Sequence, residues 1–360
     1  MKPISHYLEA HACTVPGEEL RLIRKAAPAF RDWFSATGKP DYAETFDLAS
    51  LPYPTRFGTF GAAYSPLPFL CITNRVFVVR WRAEDGKQKT LLVGPTDLEL
   101  AAKAPFYVQV AKTTPAWLQR LVYKEHGSVE KHLAVLGLRP EDIDYITFDH
   151  LHTQDVRRLV GTRGPAADLS PNAPLSASYP NAKLIVQRSE LELLRNMHPV
   201  QAAWYQTAAF TDLPEEALLV IDGDVLLGPG VALLHTPGHT AGNHSLILNT
   251  DTGIWASSEN VIATEFLTPE HSRIPGIRPW LRTFGMEVVL NGNTLETTAR
   301  QYNSVIKEKT IVDPSRADDR FLQFFPSSEL TPCWNNPGAS PTFMHRHIRH
   351  GALAPSGRSS

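Results

Sequence analysis

Cysteine is scarce in this 360-residue chain: Cys13, Cys71 and Cys333 are all there is. An odd number at wide, patternless spacing argues against a disulfide framework and against a cysteine-rich zinc site. No segment approaches the length of a membrane span. The N-terminal stretch MKPISHYLEAHACTVPGEEL lacks a continuous apolar run of signal-peptide length. Together these absences make the cytoplasm the default expectation, with no membrane partner. A surplus of one charge sign is missing too: 35 Lys and Arg face 37 Asp and Glu, a formal net charge of −2. Without a long basic run, a nucleic-acid partner is not expected. There is no repeat of solenoid length. The 42% hydrophobic content is enough to build a substantial core without a disulfide staple.

The pattern along the chain is that of an α/β protein. Residues 1–66 read as an irregular, partly helical extension packed on a core, too sparse in apolar residues to fold alone. Within it, Glu18–Phe34 fits an amphipathic helix that Pro28 should kink or end. Phe69–Ala83 and Lys89–Val93 read as a hairpin across Glu84-Asp85-Gly86-Lys87. Leu98–Leu121 reads as partly helical. Ser128 caps a helix that Gly137 ends, and a short apolar strand runs from Ile143 to Phe148. A second half follows: strand Ala182–Val186, a helix from Ser189, strands Leu218–Ile221 and Val231–His235, and the pair Ser245–Leu248 and Gly253–Ala256. A late helix, Thr294–Lys307, precedes a last strand, Thr310-Ile311-Val312. The core domain is set at 67–325. Residues 326–360 read as a tail, its end APSGRSS disordered.

Three patches carry chemistry. In Asp149-His150-Leu151-His152-Thr153-Gln154-Asp155, the two histidines are two apart on extended chain. They can therefore present both imidazoles to one point, with Asp155 in reach on the next turn. Two structural histidines at a strand end would give the same pattern. The second patch is Leu234-His235-Thr236-Pro237-Gly238-His239-Thr240-Ala241-Gly242-Asn243-His244-Ser245. There a Pro-Gly turn aims His239 from a strand end, while His235 and His244 read as structural. The third is Trp255-Ala256-Ser257-Ser258-Glu259-Asn260, with a carboxylate just past a strand.

In this order the patches resemble the metallo-β-lactamase superfamily, with its H-x-H-x-D-H, Pro-Gly-His and Gly-Asp motifs. The surroundings LGLRPEDIDYI and YPNAKLIVQRSELE match as well, and the resemblance spans roughly residues 67–313. It implies an αββα sandwich and a metal ion on His150, His152 and His239. The departures fall on the second metal position. Gln154 and Asp155 stand where the family has Asp and His, and Glu259 stands for the motif's Asp. The family's final histidine has no counterpart: the nearest stretch holds Ser327 and Ser328. His345, His347 and His350 read as part of a solvated tail.

The resemblance implies a metal-dependent hydrolase whose metal-bound water attacks an ester, lactone, thioester or amide of a small molecule. Zinc is the expected ion, with iron or manganese as alternatives and one or two ions per chain. Asp155 is expected to face the metal in place of Gln154, and Asp155 and Glu259 are the expected carboxylate ligands as well as the expected catalytic carboxylates. A catalytically degenerate scaffold and an iron-dependent oxygenase are the rival readings. Oligomeric state stays open, a homodimer included.

Overall fold

Successive side chains of a strand point to opposite faces, and in Val231–His235 both faces are buried. Val231 and Leu233 join one apolar cluster, whereas Ala232 and Leu234 join another. The same split divides Phe69–Arg82: Phe77, Val79 and Trp81 face one way, Val76 and Val78 the other. The cluster common to both strands is the seam between two sheets. The outer clusters are completed by helices. Ile23, Ala27, Phe30 and Phe34 of Pro16–Ala36 and Val305, Ile306 and Ile311 of Thr298–Ile311 cover one sheet. Val129 and Leu133 of Val129–Val135 cover the other. The result is an αββα sandwich, the layering expected from sequence. This computed structural model describes residues 1–113, 119, 122–292, 297–333 and 336–353.

One sheet is antiparallel, in the order Lys2–Pro3, Val225–Gly228, Val231–His235, His244–Thr250, Gly253–Ser257. The other is mixed. Its order is Leu218–Ile221, Lys183–Gln187, Tyr145–Thr147, Gln88–Val93, Phe69–Arg82, Tyr42–Pro54, Arg349–Gly351. The three pairings from Leu218–Ile221 to Gln88–Val93 are parallel. Hence the C-terminal ends of these strands lie at one rim, where an α/β sheet opens a crevice. Among the described residues no helix is long and apolar enough to cross a membrane.

Several expectations need correction. The helix at the N-terminus runs unbroken through Pro28. Pro28 sits on its exposed face, where one lost backbone bond is made good by solvent, while the buried stripe holds the helix straight. The segment before residue 66 is no mere extension: Tyr42–Pro54 is a 13-residue strand paired along Phe69–Arg82. Pro52 and Pro54 near its end disguised it. Thr310 and Ile311 continue the late helix instead of opening a strand; the start expected at Thr294, like part of the Leu98–Leu121 stretch and the terminal APSGRSS, lies outside the described residues.

The expected tail returns to the core. Ser328–Thr331 pairs with Phe69–Arg82, and Arg349–Gly351 pairs with Tyr42–Pro54. That pairing sets Thr331 opposite Cys71, and Cys333 is bonded to Cys71 across 262 residues, the Cα atoms 5.8 Å apart. Strand pairing, invisible in the cysteine spacing, creates this single bridge. His347 reaches Glu44 at 3.0 Å and His350 the Pro40 carbonyl at 3.0 Å, so neither hangs free.

His345 packs edge-on to Trp255 and Phe343, and its Nε2 lies 2.8 Å from the Leu322 carbonyl. Burial pulls its pKa down to about 4 in spite of that hydrogen bond. The folded state thus keeps His345 neutral while the unfolded chain protonates near its ordinary 6.5. Its stabilising share is complete above about pH 6.5 and is lost as pH falls toward 4. His11 and His244, both lowered to about 4 mainly by burial, act in the same window. His345→Gln is expected to flatten, without abolishing, the drop in urea-unfolding stability between pH 7 and pH 5. An unchanged slope would count against the burial argument.

Candidate metal centre and active site

His150 and His152 sit just past the strand Tyr145–Thr147, and His239 just past Val231–His235. All three are buried. Ring centroids are 4.7 Å apart for His150–His152, 4.4 Å for His150–His239 and 5.0 Å for His152–His239. One ligand atom from each lies within 4.8 Å of the others. The sequence expectation that these three converge therefore holds in the geometry.

The local chain is shaped to aim them. Gly238 has φ +142°, and a Cβ there would fall 2.2 Å from the Gln301 Cα of the late helix, so only glycine fits. The Pro237 carbonyl accepts a bond from Ser304 Oγ at 2.7 Å. On the other loop Thr153 is held at φ 62°, a costly conformation for a β-branched residue. It is fixed from both sides: its N–H donates to the Trp204 carbonyl at 2.6 Å, and its carbonyl accepts from Gln206 at 3.2 Å.

Glu190 ties the two histidine loops to each other. Its buried carboxylate accepts Leu151 N–H at 3.0 Å and Tyr205 O–H at 2.7 Å on one oxygen. The other oxygen accepts Thr240 O–H at 2.7 Å and Gly242 N–H at 3.1 Å. Gly242 is required because a Cβ would run into the Glu190 backbone at 2.5 Å.

The electrostatics suit a metal. Burial drives the pKa values of His152 and His239 well below the ordinary value, helped by neighbouring His150. Both are therefore neutral, the form that coordinates. His152 Nε2 meets Gln201 Oε1 at 2.7 Å, which fixes the tautomer and turns Nδ1 inward. That Nδ1 and both ring nitrogens of His239 are buried without a hydrogen-bond partner. The lone pair of His152 Nδ1 and that of one His239 nitrogen are what a divalent ion would satisfy, so the residues fit one. Burial lowers the His150 pKa, but Asp149 beside it, with Glu259 and Glu190, raises it to about 9 overall. Asp149 Oδ1 lies 3.1 Å from His150 Nδ1, and Glu259 Oε2 lies 3.9 Å from Nε2.

Glu259 reaches the site from the opposite half, as its position in the sequence suggested. Ser328 Oγ donates to it at 3.2 Å, and Ser327 Oγ donates to Asp149 at 2.8 Å. Asp155 does not reach the site. Its oxygens accept Arg157 Nε at 3.0 Å and Nη2 at 2.7 Å, and the same guanidinium bonds both oxygens of Asp168 at 2.7 Å. The reach argument for Asp155 overlooked the arginine two residues on, whose fork takes the carboxylate bidentately. Gln154 lines the cavity. Asp149, Glu190, Gln201, Ser327 and Ser328 were not singled out as site residues. Asp149 and Glu190 lie inside matched segments, DHLHTQD and QRSELE, whereas nothing local marks Gln201.

A cavity of about 670 Å³ opens on this centre. His150, His152, Gln154, Glu259 and Ser328 form its polar end. Leu51, Tyr53, Phe69, Ile72, Tyr107 and Trp204 are among the apolar residues along the rest.

No family model matches the chain. An N-acyl homoserine lactonase of Bacillus sp is 32% identical over 127 residues, 35% of this chain and 41% of the relative. The lactonase of Bacillus cereus is 31% identical over 129 residues, again 41% of its length. The matched stretch thus spans about two fifths of these relatives. A probable metal-dependent hydrolase from Staphylococcus aureus superposes with a TM-score of 0.50 at 12% identity, covering 74% of this chain and 84% of the other. A dizinc quorum-quenching lactonase solved with its product N-hexanoyl-L-homoserine gives 0.50 at 11% identity, over 82% and 90%. The chain has the metallo-β-lactamase fold. Within that fold, His150, His152 and His239 form a possible metal site.

Two variants separate the roles of the buried acids. Glu190→Gln turns an amide N–H₂ toward donors and is expected to cost about 2 kcal/mol or more and to lower bound metal sharply. Asp155→Asn is expected to cost about 3 kcal/mol by unpairing Arg157 yet leave metal content unchanged. Metal analysis beside thermal unfolding reads both; the reverse order would show that Asp155 is a ligand.

Proposed function

We propose that this protein is a metal-dependent hydrolase of lactone or ester bonds in small molecules with a hydrocarbon portion, and that its ion is zinc. The observation that carries the reading is the cavity itself: a histidine and carboxylate end joined to a long apolar wall. The lactonase names of the sequence relatives and three closely grouped imidazoles, a donor set suited to zinc, support it.

His150, His152 and His239 would hold the ion, which when bound supplies Lewis-acid polarisation of the carbonyl and acidifies water. The chain's own groups do the remaining work. Glu259 projects into the cavity beside His150. Burial, with the nearby Asp149 charge, pushes its carboxyl up to about 7 although His150 opposes the shift. A carboxylate near neutrality can take a proton from water and give it back. As the water oxygen bonds to the carbonyl carbon, Glu259 accepts the proton. As the ring or ester C–O bond breaks, the same proton goes to the leaving alkoxide. Ser328 holds the carboxylate in place from behind. The apolar wall binds the hydrocarbon and excludes water from the reacting carbon.

With zinc-loaded protein and lactones of increasing acyl length, kcat/KM is expected to rise about fourfold per added methylene until the wall is filled. Glu259→Gln should lower kcat by about 10²-fold or more while leaving His-bound metal in place. A flat chain-length profile, or a fully active Glu259→Gln, would sink the proposal.

A further inference from the structure

The position at which the family motif provides a second ion is closed by this chain's own side chains. Four groups would have to serve it, and each is spent or unsuited. Residue 154 is glutamine, a neutral amide on the cavity wall. Asp155 is 3% exposed, and its carboxylate is bound to the Arg157 fork. In the stretch expected to provide the final histidine, Ser328 offers only a hydroxyl, and its hydrogen is directed to Glu259. Asp149, the remaining acid nearby, accepts the His150 N–H at 3.1 Å and Ser327 Oγ, and faces His150 Nδ1.

Among the described residues that line the cavity, Glu259 is thus left as the single anionic donor. Asp149, His150 and Glu259 do form a second group of candidate ligands. That group shares His150 with the triad, and the His150 nitrogen that faces away from Asp149 is the one turned to Glu259. Two dications a few ångströms apart repel each other strongly. With Asp149 already engaged by Ser327 and His150, Glu259 is left to offset that repulsion. The cation that neutralises Asp155 is already built in, as Arg157.

We infer that this chain holds one divalent ion, on His150, His152 and His239, and that the Asp155–Arg157–Asp168 ion-pair network replaces the second. The inference rests on the metal-dependent reading given above. The test counts ions on the purified full-length protein after saturation with zinc, and separately with manganese, followed by desalting. Native mass spectrometry and elemental analysis provide the count. One ion per chain is expected, lost in His239→Ala. Two ions per chain would overturn the inference while leaving metal-dependent hydrolysis standing; none would overturn both. Gln154→Asp restores a carboxylate on the wall without touching the Asp155–Arg157 pair. It is expected to take up a second zinc at least tenfold more weakly than the first, and a count still at one would overturn the role given to residue 154.

Discussion

A single buried carboxylate, that of Glu190, determines whether this protein has a site at all. The histidines come from two loops that belong to different sheets. Neither loop has regular structure to hold it. Glu190 accepts two hydrogen bonds from the first loop and its Tyr205 support and two from the second. A buried ionised group is costly unless several donors share its charge. Here the need runs both ways: the charge requires the loops, and the loops take their position from the charge. This explains why small residues crowd around it. Gly242 approaches the Glu190 backbone more closely than any side chain would allow.

The rest of the centre is arranged outward from that tie. Asp149 and Gln201 each settle one imidazole, and Ser327 and Ser328 restrain the two acids that face His150. Burial makes His152 and His239 poor bases and so available as ligands. The apolar wall that would receive a hydrocarbon is also what keeps the local dielectric low, which strengthens each of these contacts. Substrate binding and ligand tuning therefore have one physical origin.

Much of this was legible in the sequence, and the failures have identifiable causes. Local patterns carried the strands that lead to His150 and His239, the Ser128 cap and the pair Ser245–Leu248 and Gly253–Ala256, because each depends on neighbours in the chain. The triad was legible because its spacing is fixed by strand geometry and a Pro-Gly turn. Asp155 was misplaced because reach along the backbone does not reveal a competing partner, here Arg157. The return of residues 326–351 was missed because its pairing partners lie hundreds of residues earlier, and polar, proline-rich composition reads as solvated when those partners are unseen. Gln201 was invisible because its partner His152 lies 49 residues earlier, with no local pattern to join them.

The late return of the chain has a consequence for the order of events during synthesis. Ser327 bonds to Asp149 across 178 residues of sequence, and Cys333 closes a still longer loop onto Cys71. Both histidine loops are made by residue 242, but the late helix that supports Pro237 and the hydroxyls that restrain the acids are made afterwards. Nascent chains that have emerged as far as residue 320 would therefore expose the edge of Phe69–Arg82 and an open, unbraced cavity. Such an edge is a template for pairing with another chain. Pairing of Ser328–Thr331 closes that edge, so the interval before it forms is when the sheet is most open to aggregation.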